Sequence, residues 1–140
     1  MCISEPKSDN PITLRKDHEP PVAISASGWR YHHLGIPTDV PRPGEQYLEQ
    51  FKVYVSAFET SPCGIQWMRF EPDSSVHALI KSVPHIAFEV DDLQTAIEGK
   101  EILTAPNSPS EGVMVAMILD SGAPVELLEF RRTSSSGSMP

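Results

Sequence analysis

Apolar residues fall into six short stretches, 31–37, 51–58, 64–70, 85–90, 113–119 and 124–130, where they alternate with polar residues or run unbroken. Alternation marks half-buried strands, because successive side chains of an extended chain point to opposite faces. Proline, glycine, asparagine or aspartate bounds these stretches, as turns require. The pattern predicts a strand-built domain with few, short helices. Asp92 is placed to cap one helix, with Leu93, Ala96 and Ile97 on a common face and a stop near Gly99. Asp73 or Ser74 starts another, with Val76, Leu79 and Ile80 inward and Pro84 ending it. Between 45 and 58 two periods compete. Tyr47, Phe51 and Tyr54 fit a helical stripe, whereas Phe51, Val53, Val55 and Ala57 alternate as in a strand. We read a helical turn near 44–50 followed by a strand.

Both ends depart from this pattern. Residues 1–28 carry Pro6, Pro11, Pro20 and Pro21 among polar residues, with only Ile12, Thr13 and Leu14 suggesting a strand, and read as a Pro-rich arm. Residues 133–140 are rich in Ser and Gly and bury too little apolar surface to order themselves, so they read as a disordered tail. The folded domain is thus expected over 29–132. Within it Pro37, Pro62, Pro72, Pro84 and Pro124 stand at strand ends, so much of the excess of 14 prolines is punctuation.

Nineteen acidic residues against eleven basic give a net charge of −8, and no basic cluster exceeds Arg131–Arg132. Such a surface excludes nucleic acid and anionic membranes as expected partners. The longest apolar run, Val113 to Leu119, is far short of the ~20 residues of a spanning helix. The N-terminus lacks the apolar core of a secretory signal. Cys2 and Cys63 make no disulfide framework, so a reducing cytoplasmic interior is the expected compartment.

The candidate chemistry comes from an internal duplication. His33-Leu-Gly-Ile-Pro-Thr38 resembles His85-Ile-Ala-Phe-Glu-Val90, and Gly64-Ile-Gln-Trp-Met-Arg-Phe70 resembles Pro124-Val-Glu-Leu-Leu-Glu-Phe130. Two halves, about 29–82 and 83–132, thus each open and close with a matching strand. Parity places His33 with Gly35, and His85 with Ala87, so each histidine has a small neighbour on its own face. It likewise places Gln66 with Met68 and Phe70, and Glu126 with Leu128 and Phe130. Any one of these polar residues alone reads as an ordinary half-buried strand residue. Jointly, two imidazoles, an amide and a carboxylate stand at equivalent points of a twofold arrangement. If two sheets curve around one cavity, His33, Gln66, His85 and Glu126 converge on a divalent transition metal, Zn, Ni, Co, Mn or Fe(II), with positions left open for substrate. By parity His32 faces the other side, and His77 lies exposed on the linker helix. Glu129 is the rival of Glu126, which parity and the match to Gln66 favour.

At these residues the sequence resembles the vicinal oxygen chelate superfamily, which includes glyoxalase I, methylmalonyl-CoA epimerase, extradiol dioxygenases, and fosfomycin- and bleomycin-resistance proteins. The resemblance covers about residues 30–131 and is carried mostly by Pro84-His-Ile-Ala-Phe-Glu-Val-Asp-Asp-Leu93 and Ala123-Pro-Val-Glu-Leu-Leu-Glu-Phe130. It implies an α+β fold of two βαβββ modules with curved mixed sheets around a metal-binding cavity. The first module is shortened, because His33 to Gln66 is a shorter span than the 41 residues from His85 to Glu126. It also implies ligands at His33, Gln66, His85 and Glu126, with Glu126 as catalytic base, and a homodimer. The activity implied is that of a metal-dependent lyase or isomerase acting on a small oxygen-chelating substrate through an enediolate. An Fe(II) extradiol-type dioxygenase, with Tyr54 or His32 as acid–base group, is the first alternative. A bleomycin-resistance-like binding protein without catalysis is the second. Trp67 and Met68 read as core before they read as contacts, and a substrate groove would draw on Trp67, Met68, Phe70 and Phe88.

Overall fold

The computed structural model describes residues 17–131. The strand expected at Ile12–Leu14 and the tail at 133–140 lie outside the described residues. Among the described residues eight strands form one mixed sheet: β1 (Arg30–Pro37), β2 (Gln46–Leu48), β3 (Val53–Ser56), β4 (Ile65–Phe70), β5 (His85–Glu89), β6 (Glu101–Ser110), β7 (Val113–Asp120) and β8 (Ala123–Phe130). The described residues also hold three five-residue α-helices, α1 (Val22–Ala26), α2 (Ala78–Ser82) and α3 (Leu93–Ile97). The architecture is therefore α+β, a mixed sheet with few helices.

The strand order is β2-β3-β4-β1-β5-β8-β7-β6. It reads the same from both ends once β1 is matched to β5, β4 to β8, β3 to β7 and β2 to β6. In each half the first strand pairs parallel to the last, Gly35 opposite Gln66 and Ala87 opposite Glu126. The halves join where β1 and β5 pair antiparallel, with Gly35 opposite His85 and His33 opposite Ala87. The second half is a complete βαβββ module. The first lacks the helix between its first two strands, and its β2 has three residues where β6 has ten. That accounts for the shorter span from His33 to Gln66.

Local chemistry explains most of these elements. The Asp92 carboxylate accepts from the amides of Gln94 and Thr95, capping α3, and Gly99 at φ +73° turns the chain away after it. Leu93 and Ala96 bury that helix against Ala116, Ile118, Val125 and Leu127 on the outer face of the second half. Ser121 and Gly122, both at positive φ, form the two-residue turn that joins β7 to β8.

Three expectations are corrected. The segment 46–48 is a strand paired to β3, and the helical turn follows it as a 3-10 turn at Glu49–Phe51. The linker helix starts at Ala78 behind His77, whose ring accepts from the Leu79 amide, because the Ser74 hydroxyl donates to the Phe51 carbonyl at 2.6 Å and does not open a helix. Strand β6 was not expected at all. It carries Pro106 and Pro109, pairs only with β7 and slips register three times, as an edge strand tolerates. No helix among the described residues is long and apolar enough to cross a membrane.

Candidate metal centre

The sheet curls around a cleft of about 1810 Å³ whose floor carries His33, His85, Glu126 and Gln66. This exceeds the ~300–1,000 Å³ of an ordinary small-molecule pocket, as befits a groove left open along one side. The neighbouring walls are apolar, with Val53, Met68, Phe70, Leu128 and Phe130 among them. Parity thus works as expected on both closing strands. Gln66, Met68 and Phe70 of β4, and Glu126, Leu128 and Phe130 of β8, all face the cleft.

The cross-strand register shows what the small residues are for. A Cβ on Gly35 would lie 2.3 Å from Cε1 and 2.8 Å from Nε2 of His85, so the space over this glycine is filled by the imidazole of the other half. Ala87 stands opposite His33 in the same way. Each half therefore supplies one histidine and the small residue opposite the other. Both rings are buried, His33 at 6% and His85 at 3% exposure.

Nε2 of His85 lies 3.0 Å and Nε2 of His33 3.3 Å from the same oxygen, Oε1 of Glu126. The candidate donor atoms of the three residues all lie within 4.8 Å of one another. Two neighbouring ligands on an ion with bonds of about 2.1 Å stand about 3 Å apart, so these N···O separations suit donors to one metal. The donor set fits as well, since imidazole nitrogen with carboxylate oxygen selects a transition ion. Burial pushes the Glu126 carboxyl up, but hydrogen bonds from His33 and then His85 outweigh it and hold the group down at about 2. The carboxylate is accordingly charged at neutral pH, as a ligand must be. The orienting shell is uneven. Nδ1 of His33 meets Nδ1 of His32 at 2.8 Å, while Nδ1 of His85 is buried without a partner. The triad is complete within one chain.

Gln66 opens onto the same cleft and onto a small side pocket beside Phe58 and Ser56. Trp67 and Phe88 do not line the cleft. They have the opposite parity to Gln66 and Ala87, so Trp67 lies under the Arg42 guanidinium at 4.6 Å and Phe88 packs on Trp29 behind the sheet. Tyr54 is also outside, with the Arg69 guanidinium 4.2 Å over its ring. Glu129 accepts from the Leu93 amide at 2.8 Å, serving the helix behind the sheet and not the cleft. Glu89 pairs with Arg30 at 3.4 Å.

His32 is where parity fails. The pairing of β1 with β5 slips between Tyr31 and His33, a bulge that gives β1 one residue more than its partner. The extra residue turns His32 to the cleft side, beside His33, between Phe58 and Phe130. Phe58 was missed for a different reason: alternation carries the expected strand through 58, whereas β3 ends at Ser56 and Ala57, at φ +76°, turns the chain so that Phe58 lines the cleft from a loop.

No family profile matches the chain. No curated protein matches it in sequence. Among solved structures, the chain is similar to a hypothetical protein from Bacillus halodurans C-125, with a TM-score of 0.52 and 16% identity over 77% of this chain and 99% of that one. This likeness is one of fold. A looser one, with a TM-score of 0.45 and 14% identity, links 78% of this chain to half of a mutant 4-hydroxymandelate synthase from Streptomyces coelicolor.

Proposed function

We propose that this chain is a divalent-metal enzyme of the vicinal oxygen chelate superfamily, of lyase or isomerase type, acting on a small substrate with two neighbouring oxygens. The observation that carries the reading is the convergence of His33 Nε2, His85 Nε2 and Glu126 Oε1 on the floor of a largely apolar cleft. His33, His85 and Glu126 would hold the ion, with Gln66 as fourth donor. An ion held there would supply Lewis acidity, stabilising negative charge that develops on a substrate oxygen. The chain's own groups do the rest. Glu126 is the base that removes the proton from the carbon beside those oxygens. Val53, Met68, Phe70 and Leu128 keep water from the carbanion-like centre and hold an apolar substrate body.

The cleft also limits the substrate. Among the described residues lining it, Lys52 is the one lysine or arginine, and it is engaged with Asp73. Among the described residues no cationic clamp for a phosphate lines the cleft, which favours a neutral, apolar substrate over a phosphate-bearing thioester. An Fe(II) ring-cleaving dioxygenase is the second reading. It is favoured by His32, a further imidazole in the cleft wall beside the two-histidine, one-carboxylate set.

The experiment is metal analysis of protein purified without chelators, then thermal shift with Mn, Co, Ni, Zn and Fe(II). Hemithioacetals, methylmalonyl thioesters and catechols are next screened with the preferred ion. Stoichiometric metal with proton exchange or isomerisation supports the first reading, and oxygen uptake on catechols the second. No metal and no thermal shift with any ion would overturn both and leave a binding protein.

A further inference from the structure

His32 has no part in the lyase or isomerase reading, yet it touches a ligand of the triad. Two imidazole nitrogens 2.8 Å apart share one hydrogen: two lone pairs would repel, and two N–H groups would collide. His32 is also clamped. Its ring stacks on Phe58 with centroids 5.2 Å apart and planes at 20°, and lies 5.4 Å from Phe130. Phe58 meets His33 edge-on at 5.8 Å, so one aromatic ring fixes the angle between the two imidazoles.

We infer that His32 is a positioning residue that sets the tautomer of His33 and accepts its Nδ1–H when Nε2 is given to a metal. This rests on the metal centre proposed above. In the metal-free chain His33 Nε2 faces Glu126 Oε1 at 3.3 Å, where a bare nitrogen would turn its lone pair on the carboxylate, so the hydrogen of His33 sits on Nε2 and its Nδ1 accepts from Nδ1–H of His32. For His33 to coordinate through Nε2, that nitrogen must be bare and the hydrogen must sit on Nδ1. The Nδ1–H then donates to Nδ1 of His32, which keeps its own hydrogen on Nε2. Each neutral ring holds one hydrogen before and after, so the count balances and no buried N–H of His33 is stranded. Among the described residues His85 has no such partner at its far nitrogen. The bulge in β1 thus supplies one ligand, and not the other, with an orienting group.

Nitrogen-15 NMR of the imidazoles, with Zn(II) titration followed by calorimetry, tests this on the full chain. The metal-free protein is expected to show hydrogen on Nε2 of His33 and Nδ1 of His32, and the Zn(II)-bound protein the reverse. His32→Phe keeps the stack with Phe58 and Phe130 but removes the acceptor, and should weaken Zn(II) binding about 10–100-fold. His32→Asn, whose amide oxygen replaces Nδ1, should recover most of that loss. Wild-type Zn(II) affinity in His32→Phe would overturn the inference, as would an equal loss in His32→Asn, which marks a packing effect. A hydrogen that stays on Nδ1 of His32 when Zn(II) is bound also overturns it. Failure of the unaltered chain to bind Zn(II) or any of the other ions overturns the metal centre as well, and is thereby distinct from a loss confined to the variants.

Discussion

Gly35→Ala adds one methyl group at the most crowded point of the site. The new Cβ would stand 2.3 Å from Cε1 of His85, roughly 1 Å inside ordinary contact, and 2.8 and 3.0 Å from the two ring nitrogens. Gly35 is not among the residues at positive φ, so the backbone accepts alanine and the whole cost is steric. Two effects oppose each other. Stiffening the unfolded chain favours alanine by about 0.4–1 kcal/mol. Overpacking a buried position costs about 1–3 kcal/mol. The displaced group is a 3%-exposed ring held by Glu126 and not a free chain end, so the upper part of that range applies. The net loss should be about 2 kcal/mol, a fall of roughly 8 °C in Tm for a domain of this size. Metal binding should suffer more, because ligand distances tolerate only about 0.2 Å and the His85 ring must move about 1 Å. We expect at least a ~100-fold loss of affinity by calorimetry. A Gly35→Ala protein with unchanged melting and unchanged metal affinity would refute the placement of His85 over Gly35, and with it the paired use of small residues.

His85→Ala should abolish stoichiometric metal, measured by elemental analysis of the purified variant. Glu129→Gln weakens the acceptor for the Leu93 amide and should cost about 1 kcal/mol in denaturant unfolding while leaving metal content intact, which separates it from Glu126→Gln. Asp92→Ala removes the cap of α3 and should cost about 1 kcal/mol, again without touching the metal. The Glu126 carboxyl is held at about 2 against an ordinary 4.5, so in the metal-free chain its ionised form stabilises the fold above pH 4.5. That contribution is lost as pH falls from 4.5 toward 2, and the stability of Glu126→Gln should depend less on pH across this window.

The duplication made the four polar residues legible from the sequence, because a strand's period of two fixes which side chains share a face. It also showed the first half to be the shorter one. The same rule separates Trp67 and Phe88 from the cleft, since their parity is opposite to that of Gln66 and Ala87 whatever their aromatic character. The period breaks only where the chain inserts a residue. The bulge at His32 leaves no mark in composition or alternation, since it exists only relative to the partner strand. Strand β6 was hidden because an edge position relaxes both hydrophobicity and the bar on proline, the two signals by which a strand is read. The role of Gly35 depends on register across the two halves, which a single chain's local pattern does not contain.

The triad straddles the seam between the two halves: His33 belongs to one, His85 and Glu126 to the other, and β1 meets β5 between them. An ion held there would therefore be a cross-link between the halves. At a free concentration of 100 times Kd it would add about 2.7 kcal/mol to the folded state, all of it opposing separation of the halves. Hydrogen exchange should register this at the amides that pair β1 with β5, slowed by metal more than those of the outer pair β6 and β7. The durability of the protein would then follow the supply of its ion, with metal scarcity felt first as a loosening along one strand pair.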